Sequence, residues 1–340
     1  MSAPLGRCST LSRRGFVQQV ASLTALALFG ACAAPDRTAP NAPRVRRIGY
    51  LSSNSSASVK PNSEIFMQAL QDLGYVEGRD IMIDFRIAES VIDRLPGLAA
   101  ELVALPVDVV LAETGAAAEA AKPVTGTTPV VFVLVPDPVG QGLVASLARP
   151  GGSYTGVTTL SGVIAGKRLE LLKETVPGLA RVAVLWNPTN PPAAIFLRGT
   201  EEAAGTLGLE TKAFSYRSGA ELDAALETIA RGGFDGLVML TSVVPPADTA
   251  DFAAEKRLPA IYASLDIARA GGLMSLGVNT PALFRKAAGL VDKILKGARP
   301  ADLPIEHPTQ IDFVVNIATA KRLGLAIPDN VLRQATEVIR

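Results

Sequence analysis

Short apolar runs alternate along the chain with longer stretches in which apolar positions recur at spacings of three and four. Ile48-Gly49-Tyr50-Leu51, Ile81–Phe85, Val107–Leu111 and Val130–Val135 read as strands, the apolar ones buried on both faces. Between them, Glu64–Leu73 places Ile65, Phe66, Ala69, Leu70 and Leu73 on one helical face, and Gly74 ends it. Leu95–Leu105 and Ala116–Ala121 follow as helices. The pattern then runs a second time. Lys167–Val176, Ala193–Leu207 and Gly219–Arg231 read as helices, with strands at Val182–Trp186, Glu210–Tyr216 and Leu237–Leu240.

Strand and helix in steady alternation predict parallel sheets wrapped by helices. Two such runs divide near Gly151–Thr158, so the expected fold is α/β with two doubly wound parallel-sheet lobes. In open parallel sheets a ligand sits beyond the carboxyl ends of the strands. That rule selects Ser52–Ser56, Glu113-Thr114-Gly115, Pro136-Asp137-Pro138, Trp186-Asn187-Pro188 and Thr241-Ser242, all polar or turn-forming. Two lobes meeting through such edges make a clamp.

Composition narrows the chemistry. The chain has 340 residues, enough for two domains, and its 48% hydrophobic and 19% charged residues are ordinary for a globular protein. A net charge of +1 gives no field favouring nucleic acid, so none is expected as a partner. With one histidine, His307, and two cysteines, Cys8 and Cys32, no imidazole–thiolate metal site is expected. No nucleophile elbow, dinucleotide fingerprint or phosphate-binding loop occurs, so neither a cofactor nor catalysis is expected. An exported α/β enzyme remains the alternative, favoured only by turnover or by a carboxylate-held metal.

The first 33 residues read as an export signal. Ser12-Arg13-Arg14-Gly15-Phe16-Val17 precedes the apolar run Val20–Ala34, which is too short for a comfortable membrane span. The paired arginines resemble a twin-arginine signal. Leu28-Phe29-Gly30-Ala31-Cys32 resembles a lipobox that would acylate Cys32, and Ala31-Cys32-Ala33 offers a small-residue cleavage site instead. Lipidation at Cys32 is the preferred reading, because Cys8 would leave with the signal. Residues 34–45 form a tether.

Several stretches together resemble a known family. They are LQDLGYVEGRDIMIDFR (Leu70–Arg86), the run Pro129–Thr158 containing DPVGQGLVASLARPGG, RVAVLWNPTNP (Arg181–Pro191), AGGLMSLGVN (Ala270–Asn279), VDKILKGARPADLPIEHP (Val291–Pro308) and Val314–Ile339. The chain resembles the ABC-transporter solute-binding proteins that include tryptophan and tyrosine binders, built on the type I periplasmic-binding fold. The resemblance implies a three-crossing hinge. It places lobe I at 46–157 and 266–299, and lobe II at 158–265 and 300–340. The hinge would then hold Gly156-Val157-Thr158, Ser264-Leu265-Asp266 and Leu303-Pro304-Ile305.

The same resemblance implies a monomer that carries a small polar, amino-acid-like ligand to an ABC permease; a sensory receptor is the alternative destination. Relatives often carry an aromatic residue where Leu276 stands, a departure expected to touch the cleft. The expected ligand-binding residues are Ser52, Ser53, Glu113, Thr114, Asp137, Asn187, Thr241, Ser242 and Asp266. Each has a plainer role beside it. Asp137 would cap a helix starting near Gly140, and Thr114 would cap the helix at Ala116. Asp266 would be a solvated hinge carboxylate, and Trp186 would pack at a lobe edge. His307 reads as exposed.

Overall fold

The structure is a computed structural model that describes residues 44–190, 193–240 and 246–340. The export signal, Cys8, Cys32, most of the tether, Thr241 and Ser242 lie outside the described residues.

The first sheet contains β1 (Arg46–Ser52), β2 (Ile81–Ile87), β3 (Val109–Glu113), β4 (Val130–Val135) and β5 (Tyr154–Thr158). They lie in the order β2-β1-β3-β4-β5, all parallel. Side-chain alternation sends Ile48, Tyr50, Val109 and Leu111 to one face, where they pack on α1 (Ser56–Asp72) through Phe66 and Leu70. Leu51, Val110, Ala112 and Phe132 face the opposite way, onto α2 (Leu95–Val103) and α3 (Gly115–Thr125). Both faces are covered, and this is why these strands read as unbroken apolar runs. Helix α1 begins two turns before the expected Glu64 and carries Pro61 inside it, so most of the serine-rich loop is helix.

The second sheet contains β6 (Arg181–Trp186), β7 (Glu210–Ser215), β8 (Gly236–Met239), β9 (Ala260–Tyr262), β10 (Met274–Val278), β11 (Ile311–Asn316) and β12 (Glu337–Ile339). Its order is β12-β11-β10-β9-β8-β6-β7, parallel except for the antiparallel pair β10–β11. On one face, Val182, Val184, Val238 and Ile261 pack on α4 (Ser161–Thr175). On the other, Ala183, Leu185, Leu237 and Met239 pack on α6 (Gly219–Arg231), and Ala250 and Ala253 bring in α7 (Pro246–Glu255). Helix α5 (Ala193–Leu207) lies against α4 through small residues. A Cβ on Gly199 would stand 2.5 Å from the Gly162 carbonyl oxygen, and one on Gly166 would stand 3.1 Å from the Ala203 Cβ.

The two lobes are present, and the chain crosses between them three times, the first and third crossings falling at or beside the hinge segments the resemblance implied and the second elsewhere. The first crossing follows Thr158, because β5 is a full strand paired with β4. The second lies at Val278–Asn279, not near Asp266. The short helix α8 (Leu265–Arg269) and β10 belong to the second sheet, β10 pairing with both β9 and β11. Only then does α9 (Thr280–Leu295) return to lobe I, where Phe284, Ala287 and Val291 pack in the first core. The third crossing follows Glu306. Ile305 is still packed in lobe I, and Glu306 is bridged to Val157.

Candidate ligand-binding site

The rim of lobe I is built around a buried carboxylate. Glu113 ends β3 with no exposed surface. The Tyr50 hydroxyl donates to its Oε2 at 3.0 Å, while Asn62 and Asn54 donate to its Oε1 at 2.8 and 3.5 Å. Burial raises its carboxyl above the ordinary value, and hydrogen bonds from Asn62, Ser52, Tyr50 and Asn54 pull it part of the way back. The carboxylate therefore ties the tips of β1 and β3 to helix α1. Ser52 is fully buried beside it, and its Oγ accepts from the Asn54 backbone amide at 3.1 Å. The Ser53 and Thr114 hydroxyls pair at 2.9 Å. Thr114 caps α3 by accepting from the Ala117 amide, and it holds a φ of 99°, a costly backbone region for a β-branched residue.

The other expected residues separate. Asp137 does cap, accepting from the Gly140 amide at 2.8 Å, but what it caps is a run of turns and not a helix. Two prolines and several glycines within 14 residues do not sustain helix there. Asn187 is buried and folds the turn after β6, its Oδ1 accepting from both the amide and the hydroxyl of Thr189. Asp266 is not brought to the cleft. It sits in the first turn of α8, with an exposed side chain paired to Arg269, which also bonds Glu337. Trp186 packs against the lobe II core, and His307 lies at the third crossing beside Lys286 and Glu306.

A cavity of about 230 Å³ opens where the lobes meet. That is smaller than the roughly 300–1,000 Å³ of drug-sized pockets, which fits a small solute. Lobe I supplies Leu134 and Pro136 from the end of β4. The β4–β5 register shifts between Phe132 and Val135, and Leu134 holds a φ of 60°, so a bulge turns its side chain into the cavity. The second crossing supplies Gly277 and Val278. The first supplies Thr159, just before α4, and the first turns of α4 supply Ser161, Ile164 and Arg168. Phe196 of α5 closes one side. Among the described residues no acidic side chain lines the space.

Arg168 is the unusual member. It is 5% exposed, and its Nε donates to the Leu276 carbonyl oxygen at 2.8 Å. Its Nη1 has no partner among the described residues. Burial lowers the guanidinium from its ordinary value to about 10, and no carboxylate among the described residues offsets that, so the group remains charged at neutral pH. Leu276 presents its carbonyl here while its side chain packs in the lobe II core, so the aliphatic departure does not reach the cavity.

Of the expected residues that are described, none lines this cavity, although Pro136 beside Asp137 does. Arg168, Thr159, Ser161, Leu134 and Phe196 were missed. A signal for Arg168 existed: Ser161, Ile164, Arg168, Leu172 and Thr175 recur at helical spacing on the buried face of α4.

Two parallel-sheet lobes, three crossings and a small cavity at their junction define a two-lobed solute-binding protein. The profile of the ABC transporter substrate binding protein family matches residues 51–339, and the chain belongs to that family. It is 27% identical over 263 residues to a tyrosine-binding protein of Clostridioides difficile strain R20291, a match covering 76% of this chain and 75% of the relative. Among solved structures it is similar to a ligand-free, open substrate-binding protein with adhesive properties from Clostridium difficile, with a TM-score of 0.70, 26% identity and coverage of 87% and 99% of the two chains. It also shares the fold of an ABC domain in complex with L-Trp from Streptococcus pneumonia, with a TM-score of 0.73, 24% identity and coverage of 87% and 100%. No described helix is long and apolar enough to cross a membrane.

Proposed function

We propose that the protein is the exported solute-binding component of an ABC importer, a monomer held at the membrane through a lipid on Cys32. It closes two lobes around a small amino-acid-like ligand, delivers it to a membrane permease and leaves it chemically unchanged. The observation that carries this reading is the cavity at the lobe junction. Its lining comes from both lobes and from two of the three crossings, so filling it rewards one hinge angle over others. A ligand with greater affinity for the closed arrangement shifts the equilibrium toward it. Phe196, Leu134 and Val278 offer an apolar wall to a side chain, and Arg168 offers a charge. The tyrosine-binding relative supports an amino-acid ligand, and an aromatic one in particular. Ser53, Thr114, Asp137 and Asn187 contribute by holding the strand tips in place.

A thermal-shift screen of the purified protein against the common amino acids tests the reading. The expected result is a rise in melting temperature with a few amino acids, aromatic ones included, because a ligand that binds only the folded state stabilises it by mass action. Mass spectrometry of the released ligand should return it unaltered. A converted product would favour an enzyme instead.

A further inference from the structure

Resting on that solute-binding reading, we propose that Arg168 is the carboxylate anchor of the cavity, and that the ligand is a small carboxylic acid carrying an apolar or aromatic body. Arg168 is 5% exposed and is among the residues lining the cavity, and its enclosed Nη1 has no partner among the described residues. A buried cation is normally paired, because a charge taken out of water without a partner is costly. Here the neighbouring walls are apolar or hydroxyl-bearing, and no carboxylate among the described residues supplies the counter-charge. An anionic ligand group would supply it.

The geometry is already set for that. The bond from Nε to the Leu276 carbonyl oxygen, at 2.8 Å, fixes the guanidinium plane before any ligand arrives. The Thr159 and Ser161 hydroxyls pair at 2.6 Å, and whichever accepts keeps its own proton for a further bond. Helix α4 starts beside them with no side-chain cap, after Leu160 at a φ of 48°. Its first-turn amides add positive potential at the same end of the cavity. Guanidinium and carboxylate are matched in shape and in charge. One cation balances one carboxylate; a doubly charged phosphate would leave net charge in an apolar enclosure. Phe196, Leu134 and Ile164 then face the remainder of the ligand, and their character selects an apolar or aromatic body.

Isothermal titration calorimetry on the full protein tests this with wild type, Arg168→Met and Arg168→Lys. The probes are L-tyrosine, L-tryptophan, their carboxamides, and two acids without the amine, 4-hydroxyphenylacetate and indole-3-acetate. Wild type should bind at least one amino acid, and its carboxamide at least tenfold more weakly. Arg168→Met should bind the acid at least tenfold more weakly than wild type does and should no longer distinguish acid from amide. Arg168→Lys should fall between the two. Equal affinity of wild type and Arg168→Met for the acid would overturn the anchor and leave the solute-binding reading standing. Arginine-dependent binding of the amine-free acids alone would keep the anchor and overturn the amino-acid ligand. Binding of no probe by wild type would overturn both. Should Arg168→Met fail to fold, the acid-to-amide ratio on wild type and the Arg168→Lys result decide.

Discussion

Glu113 and Arg168 are both ionisable and both buried, Glu113 on the rim of lobe I and Arg168 on α4 of lobe II, yet they are provided for in opposite ways. The carboxylate receives bonds from Tyr50, Asn54 and Asn62, with Ser52 beside it. The guanidinium makes one bond to a backbone oxygen and keeps a free Nη1 among the described residues. A buried charge with its hydrogen-bonding capacity filled holds structure together. One left with capacity to spare is poised to take a partner from outside. The pair teaches that burial of a charge does not mark a binding group; unfilled valence beside a cavity does.

The largest effect expected from breaking this comparison is on the saturated side. Glu113→Ala would strand the Tyr50 hydroxyl in the core at about 1–3 kcal/mol and leave the half-buried Asn62 amide without its acceptor. A total loss of about 3 kcal/mol should appear in denaturant unfolding, and ligand affinity should fall only through the loosened rim. The sign of its pH dependence follows from the raised carboxyl. A group with a raised folded value contributes stability that is fully present below its ordinary value of 4.5 and is lost as pH climbs through the folded value. The wild-type advantage over Glu113→Ala should therefore be greatest in acid and shrink as pH rises. Unfolding of both proteins across that range measures it, and ion pairs such as Arg47–Asp84 cancel in the difference.

Next comes the support beneath the cavity. Gly199→Ala would drive a methyl against the Gly162 backbone, where a Cβ stands 2.5 Å from the carbonyl oxygen. Overpacking of this kind costs about 1–3 kcal/mol. Because α4 carries Arg168 and α5 carries Phe196, ligand affinity should fall along with melting temperature. On the unsaturated side the effect should reverse sign. Arg168→Met removes a desolvated charge, so the ligand-free protein should be unchanged or more stable by about 1 kcal/mol, even as binding is lost. The smallest effect belongs to Asp266→Ala. An exposed pair with Arg269 is worth less than about 1 kcal/mol, and ligand affinity should not move.

Much of the fold was legible because strands such as Val109–Glu113 and Val130–Val135 are buried on both faces and leave an unbroken apolar signature. The crossings were less so. β9, α8 and β10 have the same alternating pattern as either lobe, and nothing in Met274–Val278 itself says which sheet it will join. Its partners, β9 and β11, decide that. Among the strand ends, the rule selected Glu113 and Thr114 but could not show that the carboxylate is already filled, since hydrogen-bond partners such as Asn62 lie far away in sequence. It missed Arg168, because a charged residue on a helix reads as solvent-facing until its phase with Ser161, Ile164 and Leu172 is noticed.

The central claim is a clamp that closes on a small carboxylic acid. Small-angle X-ray scattering of the wild-type protein, with and without a saturating amount of whichever probe acid it binds, tests that most directly. The account predicts a smaller radius of gyration with ligand at unchanged molecular mass. Superimposable curves with the ligand demonstrably bound would contradict it.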